Sequence, residues 1–120
     1  MTYNANNIFA KILRGEVPCK KVYENEYALA FHDISPKAPV HVLIIPKGPY
    51  VSHADFSAMA SDAEIAGFER AIGKVAEEVK VAASGYRLIA NAGTNAQQEV
   101  PHYHVHILGG CALGPMLVER

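Results

Sequence analysis

Pro101-His102-Tyr103-His104-Val105-His106-Ile107-Leu108, closed by Gly109-Gly110, is the stretch on which the reading of this chain turns. Side chains along an extended backbone alternate between faces, so histidines at i, i+2 and i+4 share one side of a strand. On a helix His102 and His106 would share a face while His104 pointed nearly the opposite way. Tyr103, Val105 and Ile107 are aromatic or β-branched, proline is tolerated at a strand's first position, and the paired glycines end the run. The segment therefore reads as a strand carrying three imidazoles on one surface. Such a row is costly to bury without partners, which marks it as the place to look for chemistry.

The rest of the chain supplies the support for that strand. Asn7 caps a short helix whose apolar Ile8, Phe9, Ile12 and Leu13 form one stripe, ended by Gly15. Lys21 to Glu24 and Tyr27 to His32 read as a hairpin around Asn25-Glu26. Ser35-Pro36-Lys37-Ala38-Pro39 is a loop, because each proline removes a donor and pushes its predecessor away from helix. Val40 to Pro46 is a nearly continuous β-branched run, suited to a strand covered on both faces, and His41 lies inside it. His53 falls in a polar loop and reads as solvated. Ser61 and Glu64 match a capping box that opens the main helix, with Ile65, Phe68, Ile72, Val75, Ala76 and Val79 on its apolar side. Ala63, Ala66 and Ala71 widen that arc, either as a second contact such as a subunit interface or as plain helix formers. Tyr86 to Asn91 is another strand, and Ala92 to Gln98 a polar loop leading to the histidines.

This order predicts an α+β fold, an antiparallel sheet covered by one long helix plus a short N-terminal helix. Half of the 120 residues are apolar, enough for a single domain over residues 1–120, with residues 1–7 a loose arm and 111–120 a packed tail. Cys19 and Cys111 are the only cysteines, no basic and apolar leader opens the chain, and no apolar run nears the roughly 20 residues that cross a bilayer. A reduced, cytoplasmic protein without a membrane partner is expected. Eleven basic and twelve acidic side chains give a net charge of −1 without a Lys/Arg cluster, which argues against nucleic-acid polymers. A phosphate bound here belongs to a small molecule.

Two chemistries suit the histidine row. Imidazole is a common zinc ligand, but Cα atoms of alternate residues on a strand lie about 6.5–7 Å apart, so all three histidines reaching one ion is strained. Two of them with His41 or Cys111 would serve better. The other chemistry is phosphoryl or nucleotidyl transfer. A neutral imidazole is nucleophilic near pH 7, and its neighbours can donate to the oxygens that gain charge in the transition state. His41 by itself reads equally well as a core histidine bonded to a carbonyl.

Pro101 to Leu108, with histidines alternating with apolar residues, resembles the signature of the histidine triad (HIT) superfamily. Ile8-Phe9-Ala10-Lys11-Ile12, Ala30-Phe31-His32-Asp33-Ile34-Ser35-Pro36, Ala38-Pro39-Val40-His41 and Gly85-Tyr86-Arg87-Leu88-Ile89 resemble its Hint branch, the purine nucleoside phosphoramidases. The resemblance spans essentially the whole chain. It implies a homodimer joining two sheets, with the long helix and the strand near Tyr86 to Asn91 at the interface. It implies His104 as the nucleophile forming a nucleotidyl-histidine, His106 and Asn91 on the phosphate, and His102 and His41 orienting or relaying protons. Asp33 becomes the ribose acceptor, and Ile8, Phe9, Val17, Phe31, His32, Ile34 and Leu43 the wall against the purine. The reaction implied is hydrolysis of a P–N bond in purine nucleoside 5′-monophosphoramidates, with no metal and no cofactor.

The chain departs from that pattern at Ala96-Gln97-Gln98-Glu99, where many members have paired glycines and then a hydroxyl residue two positions on. Gln97 lacks the freedom that lets a glycine amide approach a phosphate. Glu99 replaces a donor to the leaving amine, and as a carboxylate it suits a cationic amine. The competing readings are a dinucleoside polyphosphate hydrolase and a non-catalytic zinc- or nucleotide-binding regulator.

Overall fold

The structure is a computed structural model that describes residues 2–118; the expected arm and tail extend beyond it at residue 1 and residues 119–120. Helix α1 spans Ile8–Leu13, with the Asn7 side chain accepting from the Ala10 amide at 2.9 Å. Gly15, at φ +78°, ends it in a left-handed turn that returns its own N–H to Ile12 and the Glu16 N–H to Lys11. Strands β1 (Lys21–Glu24) and β2 (Ala28–His32) form the expected hairpin, and β3 (Val40–Pro46) runs beside β2. Asn25 shapes the turn by accepting from the amides of both Tyr27 and Ala28, which holds Tyr27 out of β2.

Helices α2 (His53–Met59) and α3 (Asp62–Glu78) follow, then β4 (Tyr86–Ile89), a single 3-10 turn (Thr94–Ala96) and β5 (Val105–Gly109). The five strands form one antiparallel sheet in the order β1-β2-β3-β5-β4. Period-2 alternation divides it into two cores. Ala28, Ala30, Val42, Ile44, Val105 and Ile107 pack against Phe68, Ala71, Ile72 and Val75 of α3. Leu29, Phe31, Leu43 and Ile45 face the other way and are capped by Phe9 of α1. The small alanines of β2 let α3 lie close, and at Gly67 the approach is tight: a Cβ there would fall 2.2 Å from the Tyr27 ring.

Several expectations need correction. His53 opens α2 rather than lying in a loop, because Ser52 stands at its N-cap and Asp55 accepts from the Val51 and Ser52 amides. The Ser61–Glu64 capping box holds as expected. The alanine arc divides, Ala71 entering the core while Ala63 and Ala66 stay exposed. The strand from Tyr86 stops at Ile89 instead of Asn91. Within the described part of the tail, Met116 and Leu117 are 59% and 86% exposed rather than packed.

The arm is tethered rather than loose. Arg14 donates to the Ala5 carbonyl, Asn7 to that of Asn4, and Tyr3 reaches the histidine segment. The largest correction concerns that segment itself. Regular strand begins only at Val105, so of the three triad histidines His106 alone sits in the ladder. Pro101 to His104 approach as irregular backbone, anchored by the Tyr103 amide donating to the Tyr50 carbonyl at 2.8 Å.

Candidate active site

The histidines nevertheless gather on the α1 side of the sheet, opposite α3. Register places His106 across from Leu43 and His41 across from Leu108, so His41 and His106 are diagonal neighbours on one face. Their rings meet, with His41 Nε2 2.9 Å from His106 Nδ1. His104 and His106 rings lie 5.2 Å apart, and Phe9 stands edge-on to His104 at 5.0 Å.

Hydrogen positions in this cluster follow from the partners, because a carbonyl only accepts and an amide N–H only donates. His104 Nδ1 lies 2.7 Å from the His102 carbonyl and therefore carries its hydrogen, which leaves Nε2 as a lone pair. The Lys37 amide donates to His41 Nδ1 at 3.0 Å, so His41 is protonated at Nε2 and donates to His106 Nδ1. His106 is then left with a hydrogen on Nε2. One ring offers an electron pair and its neighbour offers a hydrogen-bond donor.

Burial favours the neutral form along the row. It holds His104 and His41 below the usual imidazole range, partly offset at His104 by the bond to the His102 carbonyl and at His41 by the Asp33 carboxylate. His106 is pushed down to about 4, first by burial and then by His104 and His41. His102 is sealed inside at 0% exposure and also falls to about 4, again through burial. Its Nε2–H donates to the Pro46 carbonyl at 2.8 Å, and Nδ1 accepts from the Tyr3 hydroxyl at 2.6 Å.

Acid is therefore expected to destabilise the fold. The unfolded chain protonates His102 below about pH 6.5, whereas the folded chain resists until about pH 4. Between these values the unfolded state binds more protons. Stability is full above about pH 6.5 and declines toward pH 4, by up to about 1.4 kcal/mol per pH unit for this residue. Denaturant melts at pH 7 and pH 5 check this, and equal midpoints would contradict a buried neutral His102.

Asp33 completes the cluster. Its Oδ1 accepts from the Ser35 amide at 2.7 Å, and its Oδ2 lies 3.5 Å from His41 Nε2. Asp33, His41 and His106 bring three donor atoms within 4.8 Å of one another, spacing that a divalent cation could bridge. The hydrogen-bond chain opposes that use. A metal needs the His41 Nε2 lone pair, but the Lys37 amide on Nδ1 keeps the hydrogen on Nε2. Cys111, the other ligand considered, is exposed and outside this group.

The residues expected around a purine are dispersed. Phe9, Phe31 and Leu43 are buried together beneath the histidine face. Ile8 is 42% exposed, Ile34 is 99% exposed and His32 is exposed. Val17 lines a cavity of about 480 Å³ with Ile12, Leu13, Pro18, Cys19 and Leu29, whose lining includes none of the histidines. A second cavity, of about 460 Å³, is lined by Val51, Thr94, Gln97, Gln98, Glu99 and Pro101. Asn91 lies two residues past Ile89, the β4 residue paired with His106.

Gln97 has φ +58°, so the left-handed backbone natural to glycine is kept with a glutamine in place. Gln98 fixes that loop, accepting from the Gly93 amide and donating to the carbonyls of Val51 and Val100. Sequence reasoning missed the Lys37 amide, the Pro46 carbonyl and Tyr3. Backbone groups leave no trace in residue types, and Tyr3 is one aromatic in a polar arm.

An antiparallel sheet with a lone-pair imidazole beside a hydrogen-donating one defines a protein equipped for nucleophilic or acid–base chemistry at histidine. The HIT domain model matches residues 14–112, and this chain belongs to the HIT family. An uncharacterised 13.2 kDa HIT-like protein of Azospirillum brasilense is 59% identical, covering 98% of this chain and 97% of its own length. The purine nucleoside phosphoramidase of Escherichia coli K12 is 44% identical over 94% of each chain. Among solved structures, a histidine triad protein from Clostridium difficile superposes with a TM-score of 0.83 at 39% identity, covering 97% of this chain and 100% of that one. A HIT family hydrolase from Legionella pneumophila gives 0.80 at 38% identity, over 91% and 96%.

Proposed function

We propose that this protein hydrolyses the P–N bond of purine nucleoside 5′-monophosphoramidates through a nucleotidyl-histidine on His104. The observation that carries this reading is the His104 Nδ1–H bond to the His102 carbonyl, which reserves Nε2 for attack. Nε2 bonds to phosphorus as the P–N bond breaks, and the amine leaves with a proton taken from solvent, which the water of the second step returns as it loses its own. Water then attacks the same phosphorus, releasing the nucleoside monophosphate and restoring the neutral ring. His106 Nε2–H donates to the phosphoryl oxygen that gains charge, and His41 holds His106 in that tautomer.

Asp33 accepts from the ribose hydroxyls, and Asn91 assists at the phosphate. Ile8, Phe9, Val17, Phe31, His32, Ile34 and Leu43 supply the base-side surface. Their dispersal asks the exposed members to close on the ligand. Gln97 and Glu99 border the leaving amine. The relative of E. coli named for this activity supports the substrate class.

The working unit in this reading is a homodimer. β4 is an edge strand, and its Tyr86 and Leu88 are 40% and 41% exposed on the face shared with α3. An uncovered apolar edge of this kind is a template for pairing with a second sheet. Two free cysteines, Cys19 and Cys111, suit a reducing cytoplasm.

Comparing an adenosine phosphoramidate with a dinucleoside polyphosphate at equal enzyme concentration tests the substrate. Rapid quench during turnover, under conditions that preserve P–N bonds, should trap protein heavier by one nucleotidyl group. Preference for the polyphosphate would move the assignment to that hydrolase class. Inactivity on both, with stoichiometric zinc retained after purification, would replace catalysis by a regulatory role.

A further inference from the structure

Tyr3 stands in a segment that reads as an unstructured arm, yet its hydroxyl enters the interior of the candidate site. Its oxygen is 2.6 Å from His102 Nδ1, and the two rings meet edge to face at 5.6 Å. We propose that Tyr3 is a positioning residue for the nucleophile, its hydroxyl holding the His102 ring against the Pro46 carbonyl so that the His102 carbonyl fixes the hydrogen of His104. The inference rests on the function proposed above for its kinetic consequence, but not for its structural one.

Pro46 can offer only a carbonyl here, so His102 Nε2 must donate and Nδ1 must be a buried acceptor. No buried side-chain nitrogen or oxygen among the described residues lacks a partner, and at Nδ1 that partner is Tyr3. Reversing the tautomer would set a lone pair against the Pro46 oxygen. The hydroxyl is thus the one side-chain group that locks the ring from its open side. His102 carries two tasks at once, because the carbonyl that receives the His104 Nδ1–H belongs to the same residue. Residues 101–104 lie outside the strand ladder, and the peptide that carries this carbonyl is held at its other end by the Tyr103 N–H donating to the Tyr50 carbonyl at 2.8 Å. The His102 ring, bonded to the Pro46 carbonyl, is the second anchor of that peptide, and releasing it leaves the Tyr50 bond alone to set the carbonyl's direction.

The arm is built to deliver this contact. Asn4 and Ala5 carbonyls are held by Asn7 and Arg14, which tie the chain next to Tyr3 onto α1. Phe9 of α1 stands edge-on to both His102 and His104, at 6.3 and 5.0 Å. The Tyr3 hydroxyl is engaged with His102, which is sealed from solvent, and acts on the nucleophile through that ring.

Tyr3→Phe separates hydroxyl from ring. In the wild-type free protein, ¹⁵N correlation of the histidine rings is expected to show His102 with hydrogen on Nε2 and an accepting Nδ1. In Tyr3→Phe the His102 Nδ1 resonance moves downfield, and His104 gains a population with hydrogen on Nε2. With an adenosine phosphoramidate, kcat falls about tenfold, the loss of one hydrogen bond's worth of stabilisation, while KM stays within about twofold. Unchanged His102 and His104 ring resonances overturn the proposal, even if the melting temperature falls, since a merely structural tyrosine would do that. Wild-type inactivity on the phosphoramidate would instead remove the proposed function, and the ring resonances would still decide the role of Tyr3.

Discussion

Replacing His104 by alanine is expected to cut turnover of an adenosine phosphoramidate by at least about 10⁴-fold, with the fold retained. The lone pair on Nε2 has no substitute within the site. His41 Nε2 and His106 Nε2 both bear hydrogens in the observed bonding pattern, and His102 is sealed away with both nitrogens engaged. Retention of the fold follows from the position of His104. It precedes β5, outside the ladder, and what it gives up is the ring contacts to Phe9 and His106 and the Nδ1–H bond to the His102 carbonyl. Steady-state rates, with circular dichroism to verify folding, make the measurement. A folded variant retaining a tenth of the wild-type rate would place the nucleophile elsewhere.

Tyr103→Ala should be the most damaging substitution between the histidines, for the opposite reason. The Tyr103 ring is 6% exposed and lies 5.0 Å from Phe56, 5.3 Å from Phe68 and 5.8 Å from His53. It anchors irregular backbone to the α2 and α3 side of the sheet while its neighbours turn toward α1. Truncating a buried aromatic side chain costs about 3–5 kcal/mol, and here the lost anchor also frees the His102 carbonyl. Denaturant midpoints should fall by that amount, and kcat should drop at temperatures where the variant is still folded. Tyr103→Phe keeps the ring and is expected to recover most of both. A loss below about 1 kcal/mol in Tyr103→Ala would show that the segment is held by its histidines instead.

The role of Tyr103 shows how far alternation alone can be trusted. Tyr103, Val105 and Ile107 facing one core and the histidines facing the other is correct from His102 to Leu108, although only the last four of these residues are strand and Pro101 is exposed. Alternation survives because any locally extended backbone, hydrogen-bonded in a ladder or not, sends successive side chains to opposite sides. The helix at His53 was hidden because its capping comes from Asp55, in a stretch where Phe56 is the only buried residue and no apolar stripe announces a period. Main helix α3 was legible because its caps and its 3.6-residue apolar stripe agree.

The sequence by itself determined the α+β class, the hairpin, the two helices with signed ends, and three imidazoles on one side of the chain, since these depend on neighbours within a few residues. Only the tertiary structure decided which nitrogen of each ring carries hydrogen. That choice is made by the Lys37 amide, the Pro46 and His102 carbonyls and the Tyr3 hydroxyl. Tyr3 and Pro46 lie 99 and 56 residues from the histidine they hold, and two of the other partners are backbone atoms that every residue type provides. The same histidines with different partners would be ligands or solvated side chains, because the function of an imidazole is set by what occupies its other nitrogen.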